Sequence, residues 1–143
     1  MTKLIGVYGA SGFGREVMPL VRIQNPDASL VFIEDNQRSG SLNGCPVWRF
    51  DRFVEEPCLS RSAVIAIGAA GFRERLTAKC SELGIGQTTV AHPTVVTLDD
   101  LDIGEGAILC SFLTFTSNIR IGRSFHANIY SYVARTIASS AIA

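Results

Sequence analysis

The chain has 143 residues, 47% of them hydrophobic and 18% charged, a composition that describes a globular protein and excludes a disordered one. Thirteen Lys and Arg balance thirteen Asp and Glu, so no net field favours nucleic acid or an anionic membrane as partner. The longest nearly unbroken apolar stretch, 63–72, is far short of the roughly 20 residues that span a bilayer. Gly6, Gly9, Gly12 and Gly14 break what would have to be a signal peptide's apolar segment, so a cytoplasmic protein is expected.

In chain order, Leu4-Ile5-Gly6-Val7-Tyr8 is a short run of strand formers ending at a glycine cluster. Residues 15–23 then place Val17, Leu20 and Val21 at helical spacing, and Pro26 closes the segment. Leu30-Val31-Phe32-Ile33 is a second strand, ending in the acidic pair Glu34-Asp35. Ala63-Val64-Ile65-Ala66-Ile67 is a continuous apolar run suited to a strand covered on both faces. Residues 72–83 form a helix with Leu76, Cys80 and Leu83 on one stripe and Gly84 as its stop. Thr88-Thr89-Val90-Ala91 reads as a last strand before His92-Pro93. This alternation is that of a small Rossmann-like parallel α/β sheet, here assigned to residues 1–92.

The first strand-to-helix turn is Gly9-Ala10-Ser11-Gly12-Phe13-Gly14. Glycines there let the backbone approach a phosphate, and the N–H groups opening the next helix attract its charge. The spacing departs from Gly-x-Gly-x-x-Gly, because Ser11 stands where the second glycine belongs. A tight turn also uses glycine for steric reasons alone. The acidic pair after the second strand, where ribose or base hydroxyls are read, favours a nucleotide over a bare structural turn. Cys45, Cys58, Cys80 and Cys110 are scattered, and only His92 and His126 could complete a metal site. They are expected to be small buried hydrophobes, with no disulfide and no metal.

From residue 93 the pattern changes. Ile103, Leu109, Phe115, Ile121, Ala127 and Val133 recur at every sixth position. Ala107, Leu113, Ile119, Phe125, Ser131 and Ile137 form a second small or apolar series four residues behind. A period of six matches neither a helix nor an alternating hairpin strand; it fits a parallel β-helix whose sides send each lead residue inward. This geometry places His126 at a corner, as a surface or interface residue, and His92 in a turn between domains. About 18 residues make one three-sided coil, so residues 93–143 supply two to three coils, ending in the small, featureless stretch 134–143. The β-helix is read as incomplete.

Together these features resemble the bacterial sugar O- and N-acetyltransferases, among them the sialic acid O-acetyltransferases and UDP-4-amino-sugar N-acetyltransferases. The resemblance rests on Gly-Ala-Ser-Gly-Phe-Gly-Arg-Glu-Val from Gly9, where the family shows Gly-Ala-Gly-Gly-His-Gly-Lys-Glu-Val. It rests also on Glu34-Asp35-Asn36, Ala66-Ile67-Gly68 with Arg73, His92-Pro93, and Ile103-Gly104-Glu105-Gly106. It implies a left-handed hexapeptide β-helix, trimeric, with acetyl-CoA lying between neighbouring β-helices and a UDP- or other nucleotide-linked sugar as acceptor. Gly9, Ser11, Gly12, Phe13 and Gly14 would then line the phosphates, though Ser11 and Phe13 replace the family's Gly and His. Asp35 and Asn36 would meet the base or ribose, with Gly68 and Arg73 nearby.

The resemblance further implies a His as general base seven residues after an Asn that matches Asn128. Arg135 stands there, and a guanidinium stays protonated at any working pH, so the 143-residue chain is expected to transfer acetyl weakly or not at all. One choice of codons for residues 135–142, read two bases later, spells His-Asp-Cys-Val-Ile-Gly-Asp, as a frameshift near codon 134 would produce. Two other readings stay open: a nicotinamide-dependent oxidoreductase domain, and a non-catalytic nucleotide-binding or oligomerisation module.

Overall fold

The computed structural model describes residues 1–36 and 40–127, and the backbone of two further strands at 132–133 and 137–138. The chain divides into two compact units, Met1–Thr88 and Thr89–Ala143.

The first unit is built on one sheet. In chain order it contains β1 (Lys3–Tyr8), α1 (Gly12–Gln24), β2 (Ser29–Ile33), β3 (Gly40–Leu42), β4 (Cys45–Trp48), α2 (Phe50–Glu55), β5 (Ser60–Ile65), α3 (Ala70–Glu82) and β6 (Gly86–Gln87). The strand order is β3-β4-β2-β1-β5-β6, parallel except for the β3–β4 hairpin. β1 is central, pairing with β2 on one side and β5 on the other, which is why its residues from Leu4 onward are buried. Alternation along it separates two layers. Leu4 and Tyr8 share a core with Phe50 and Phe53 of α2 and Leu76 and Cys80 of α3. From β1 the chain first steps outward to β2 and later, through β5, in the opposite direction. With right-handed crossovers this opens a crevice at the carboxyl ends of β1 and β5.

Three local readings change. The β3–β4 hairpin turns on Asn43-Gly44, both at positive φ (49° and 79°), the requirement of a two-residue type I′ turn. Pro46 and the short strands hid that signal. On α3 the buried stripe is Arg73, Leu76 and Cys80, not Leu83, which is exposed as the C-cap. The expected stop is present: Gly84 has φ 70°, its N–H donates to the Ser81 carbonyl, and Ile85 N–H donates to that of Cys80. Residues 88–91 do not close the sheet. Gly86–Gln87 does that, and β7 (Val90–Ala91) opens the second unit by pairing with Ile108 and Leu109.

The second unit is a parallel β-helix. Its strands are β7, β8 (Val96–Thr97), β9 (Leu101–Ile103), β10 (Ile108–Leu109), β11 (Thr114–Phe115), β12 (Ile119–Ile121), β13 (His126–Ala127), β14 (Tyr132–Val133) and β15 (Ile137–Ala138). They stack as three sheets, β7-β10-β13, β8-β11-β14 and β9-β12-β15. Partners lie one 18-residue coil apart, as Val90, Ile108 and His126 do. The two six-residue series fill the core: Ala107, Leu109, Leu113, Phe115, Ile119, Ile121, Phe125 and Ala127, with Ile103 partly buried against them. Positive φ also recurs every six residues, at Gly106, Phe112, Asn118 and Ser124, marking the corners.

Those corners correct the placement of His126. It lies on strand β13, two residues past the Ser124 corner, and is only 2% exposed. A second correction concerns Ile137. The six-residue series sets it opposite Ile119, but it pairs with Arg120, so the register between β12 and β15 is one residue short of a full coil. Ser131 lies outside the described residues.

Coil stacking brings Gly104 against Gly122. A Cβ on Gly104 would lie 2.7 Å from the Gly122 carbonyl carbon and 2.8 Å from the Arg123 nitrogen, backbone atoms that cannot swing aside. Gly104→Ala is therefore expected to destabilise the β-helix by about 1–3 kcal/mol. Gly86→Ala, whose Cβ would enter open space, should stay within about 0.5 kcal/mol of wild type. Guanidinium denaturation of the two variants checks the contrast.

Candidate functional site

The site is assembled where four parallel strands end together. Gly9 N–H donates to the Ile33 carbonyl, Ala66 N–H to that of Tyr8, and Glu34 N–H to that of Trp48, so the ends of β1, β2, β4 and β5 are held level. Gly9 has φ 114°, and α1 begins three residues later. This abrupt start depends on Gly14, where a Cβ would lie 1.7 Å from the Gly9 carbonyl oxygen. Ser11 is the extended N-cap of α1, and its side chain makes no capping hydrogen bond. The first turn of α1 carries no acidic residue, leaving its N-terminal dipole uncompensated by side-chain charge.

Beside this turn lies a cleft of about 300 Å³, lined by Tyr8, Gly9, Glu34, Asp35, Asn36, Ile67, Phe72, Leu76 and Lys79. One wall is acidic and polar, from the end of β2. The other is largely apolar: Ile67, then Phe72, Leu76 and Lys79, which fall on one face of α3 at spacings of four and three.

Asp35 is the junction. Its Oδ2 accepts from the Tyr8 hydroxyl at 2.6 Å, and its Oδ1 accepts from the Phe50 backbone N–H at 2.8 Å. Lys79 Nζ lies 3.8 Å from Oδ2 and 3.4 Å from the Tyr8 hydroxyl, above the Phe50 ring at 4.2 Å. Burial pushes the Asp35 carboxyl upward, but the Tyr8 and Phe50 hydrogen bonds and the Lys79 and Arg49 charges together hold it below its ordinary value. Burial, then the bond to Asp35, pushes the Tyr8 phenol far up, so it stays a neutral donor. Burial likewise raises the Cys80 thiol to about 11, opposed only by Lys79, leaving an inert apolar side chain in the core.

Of the residues singled out from sequence, Gly9, Asp35 and Asn36 line the cleft. Ser11 and Gly12 are exposed at the start of α1, Phe13 is half-buried, and Gly14 is buried beneath Gly9. Gly68 is exposed, next to Ile67. Arg73 is 1% exposed and faces inward, donating to the carbonyls of Ile67 and Gly68 at 3.3 and 3.4 Å. Burial lowers its pKa, with Glu74 opposing. Asn128 and Arg135 lie outside the described residues. Tyr8, Phe72 and Lys79 escaped the sequence reading. The spacing of Phe72, Leu76 and Lys79 is present in the sequence, but the sequence reading follows a different stripe, Leu76, Cys80 and Leu83. Among the described residues no group of three His, Cys, Asp or Glu is placed to hold a metal, and no helix is long and apolar enough to cross a membrane.

Residues 4–80 match the model of the PglD N-terminal domain. The chain belongs to that family, one of sugar acetyltransferases. Every cleft residue falls inside the matched span. The chain is 38% identical over 137 residues to the GDP-perosamine N-acetyltransferase of Escherichia coli O157:H7, covering 92% of this chain and 62% of that protein. It thus spans less than two thirds of that curated relative. Among solved structures it is similar to WeeI from Acinetobacter baumannii AYE, at 46% identity and a TM-score of 0.92, covering 96% of this chain and 67% of that one. It shares its fold with the acetyltransferase domain of PglB from Neisseria gonorrhoeae FA1090, solved in complex with acetyl coenzyme A. That match has 21% identity and a TM-score of 0.83, covering 94% of this chain and 65% of that one. The PglD-type α/β domain followed by a hexapeptide β-helix is therefore the fold of this chain.

The Asp35 junction makes a pH prediction. A carboxyl depressed in the folded state contributes stability that is full above its unfolded value, about 3.9, and lost as pH falls through the lower folded value. Asp35→Asn should lower stability at pH 6 and narrow the further loss between pH 5 and pH 3. Urea midpoints of wild type and variant across that range measure it; equal pH slopes would remove Asp35 from this role.

Proposed function

We propose that this chain supplies the nucleotide-sugar site of an enzyme that transfers acetyl from acetyl-CoA to the amine of a nucleotide-linked sugar, with a GDP-linked amino sugar as acceptor. The observation that carries the reading is the cleft at the β1–β5 carboxyl ends, set beside a glycine turn that opens α1. That is where an open parallel sheet binds nucleotides, and the GDP sugar is drawn from the relative at 38% identity.

In this reading Gly9, Ser11, Gly12 and Phe13 meet the diphosphate at the N-terminal end of α1, and Gly14 permits the approach from below. Asp35 and Asn36 face the ribose or base, Asp35 while held by Tyr8 and Lys79. Gly68 and Arg73 shape the wall carried by Ile67. The β-helix assembles as a homotrimer and presents acetyl-CoA, the co-substrate, to the sugar amine. The work belongs to the cytoplasm, where acetyl-CoA and nucleotide sugars are available. Asn128 supports the position of the proton-accepting residue, and Arg135 occupies that position.

A guanidinium cannot take the amine proton as the nitrogen attacks the thioester. The 143-residue chain is therefore expected to bind GDP saturably and release little CoA from acetyl-CoA. Calorimetric titration with GDP, paired with a thiol-release assay, tests both halves. Absence of GDP binding would falsify the nucleotide site, and steady CoA release dependent on an amino sugar would overturn the role given to Arg135.

A further inference from the structure

On α3 one aromatic side chain is placed where the fold does not need it. Phe72 is 50% exposed, although it shares a face of α3 with the buried Leu76. It stands in the cleft wall, across from Glu34, Asp35 and Asn36. The next residue, Arg73, does the buried work of that turn. The Arg75 guanidinium lies over the ring, 4.6 Å from its centroid, and favours that ring orientation. A ring oriented by a cation, open in a cleft between an apolar wall and a polar one, suits a flat heteroaromatic group. The apolar wall takes its face, and the acidic wall takes donors on its edge.

We infer that Phe72, oriented by Arg75, is the platform on which the nucleobase stacks, and that it gives the cleft its preference for a purine over a pyrimidine diphosphate. The inference rests on the nucleotide-site reading above and names the residue that reads the base. Stacking is tolerant of base identity but grows with the overlapped π area, so a purine gains more from the ring than uracil does. Ile67 and Leu76 flank the platform, and the Arg73 hydrogen bonds to the carbonyls of Ile67 and Gly68 keep that flank in position.

The test is calorimetric titration of the full chain and its Phe72→Ala, Phe72→Leu and Phe72→Trp variants with GDP and with UDP, alongside thermal melts. Phe72→Ala should weaken GDP about ten- to a hundredfold and UDP less, with an unchanged melt. Phe72→Leu keeps apolar contact without the π face and should lose GDP similarly. Phe72→Trp should bind GDP as tightly as wild type or tighter. GDP binding by Phe72→Ala or Phe72→Leu within about twofold of wild type overturns the platform and leaves the nucleotide site standing. Equal losses of GDP and UDP overturn the purine preference. A wild-type chain that binds neither diphosphate overturns the nucleotide site itself and this inference with it.

Discussion

One carboxylate ties four elements of the first unit together. Asp35 follows β2, and its side chain receives the Tyr8 hydroxyl from the end of β1, the Phe50 N–H at the start of α2 and the Lys79 ammonium from α3. Its backbone carbonyl receives Arg49, the residue just before α2. Beneath it, Tyr8 and Phe50 stack with ring centroids 5.5 Å apart, and Lys79 lies above Phe50. The cleft floor is therefore also the joint of the sheet with two of its helices. Removing that carboxylate would leave a buried phenol and a backbone N–H seeking partners, a larger loss than a surface ion pair implies.

This arrangement assigns different work to neighbouring acidic residues. Among the described residues, Glu34 accepts from the backbone N–H groups of Ala10 at 3.5 Å and Asn36 at 3.3 Å, both at the long end of hydrogen bonding. Asp35 is held by short bonds and a cation. A ligand can replace the weak bonds of Glu34 at little cost, whereas the bonds of Asp35 are needed to keep the cleft in shape. Preorganisation of this kind reduces the ordering that binding would otherwise require.

The sequence disclosed what repeats and concealed what is made by single long-range contacts. The apolar runs at 4–8, 30–33 and 63–67 lie on β1, β2 and β5, the last ending at Ile65, because a central parallel strand is buried on both faces and needs no alternation. The six-residue series became the β-helix core, because every coil imposes the same inward positions. The stretch between Asn36 and Ser60 was illegible, the Asn43-Gly44 turn included. α2 is six residues long and has no side-chain cap; it is placed by Phe50 and Phe53 packing under Tyr8. In the site, the glycine turn was legible. The joining of Tyr8, separated from Lys79 by 71 positions, was not.

His126 and Phe112 show why a period fixes some positions and not others. The inward positions are constrained by the core, and the corners by the positive φ that turns the chain. Glycine and asparagine answer that second demand at 106 and 118 with little strain, whereas Ser124 at φ 60° and Phe112 at φ 62° meet it less readily. The cost at Phe112 is borne because its N–H donates to Thr94 Oγ1 at 2.8 Å, and Thr94 is itself anchored through His92 Nδ1. The corner is thus set by a hydrogen bond from the preceding coil. His126 has neither demand on it from the six-residue rule: it is the strand residue between the inward Phe125 and Ala127, in register with Ile108 and Val90, both fully buried. The six-residue rule fixes the inward positions and the corners, and it leaves burial along that column unspecified.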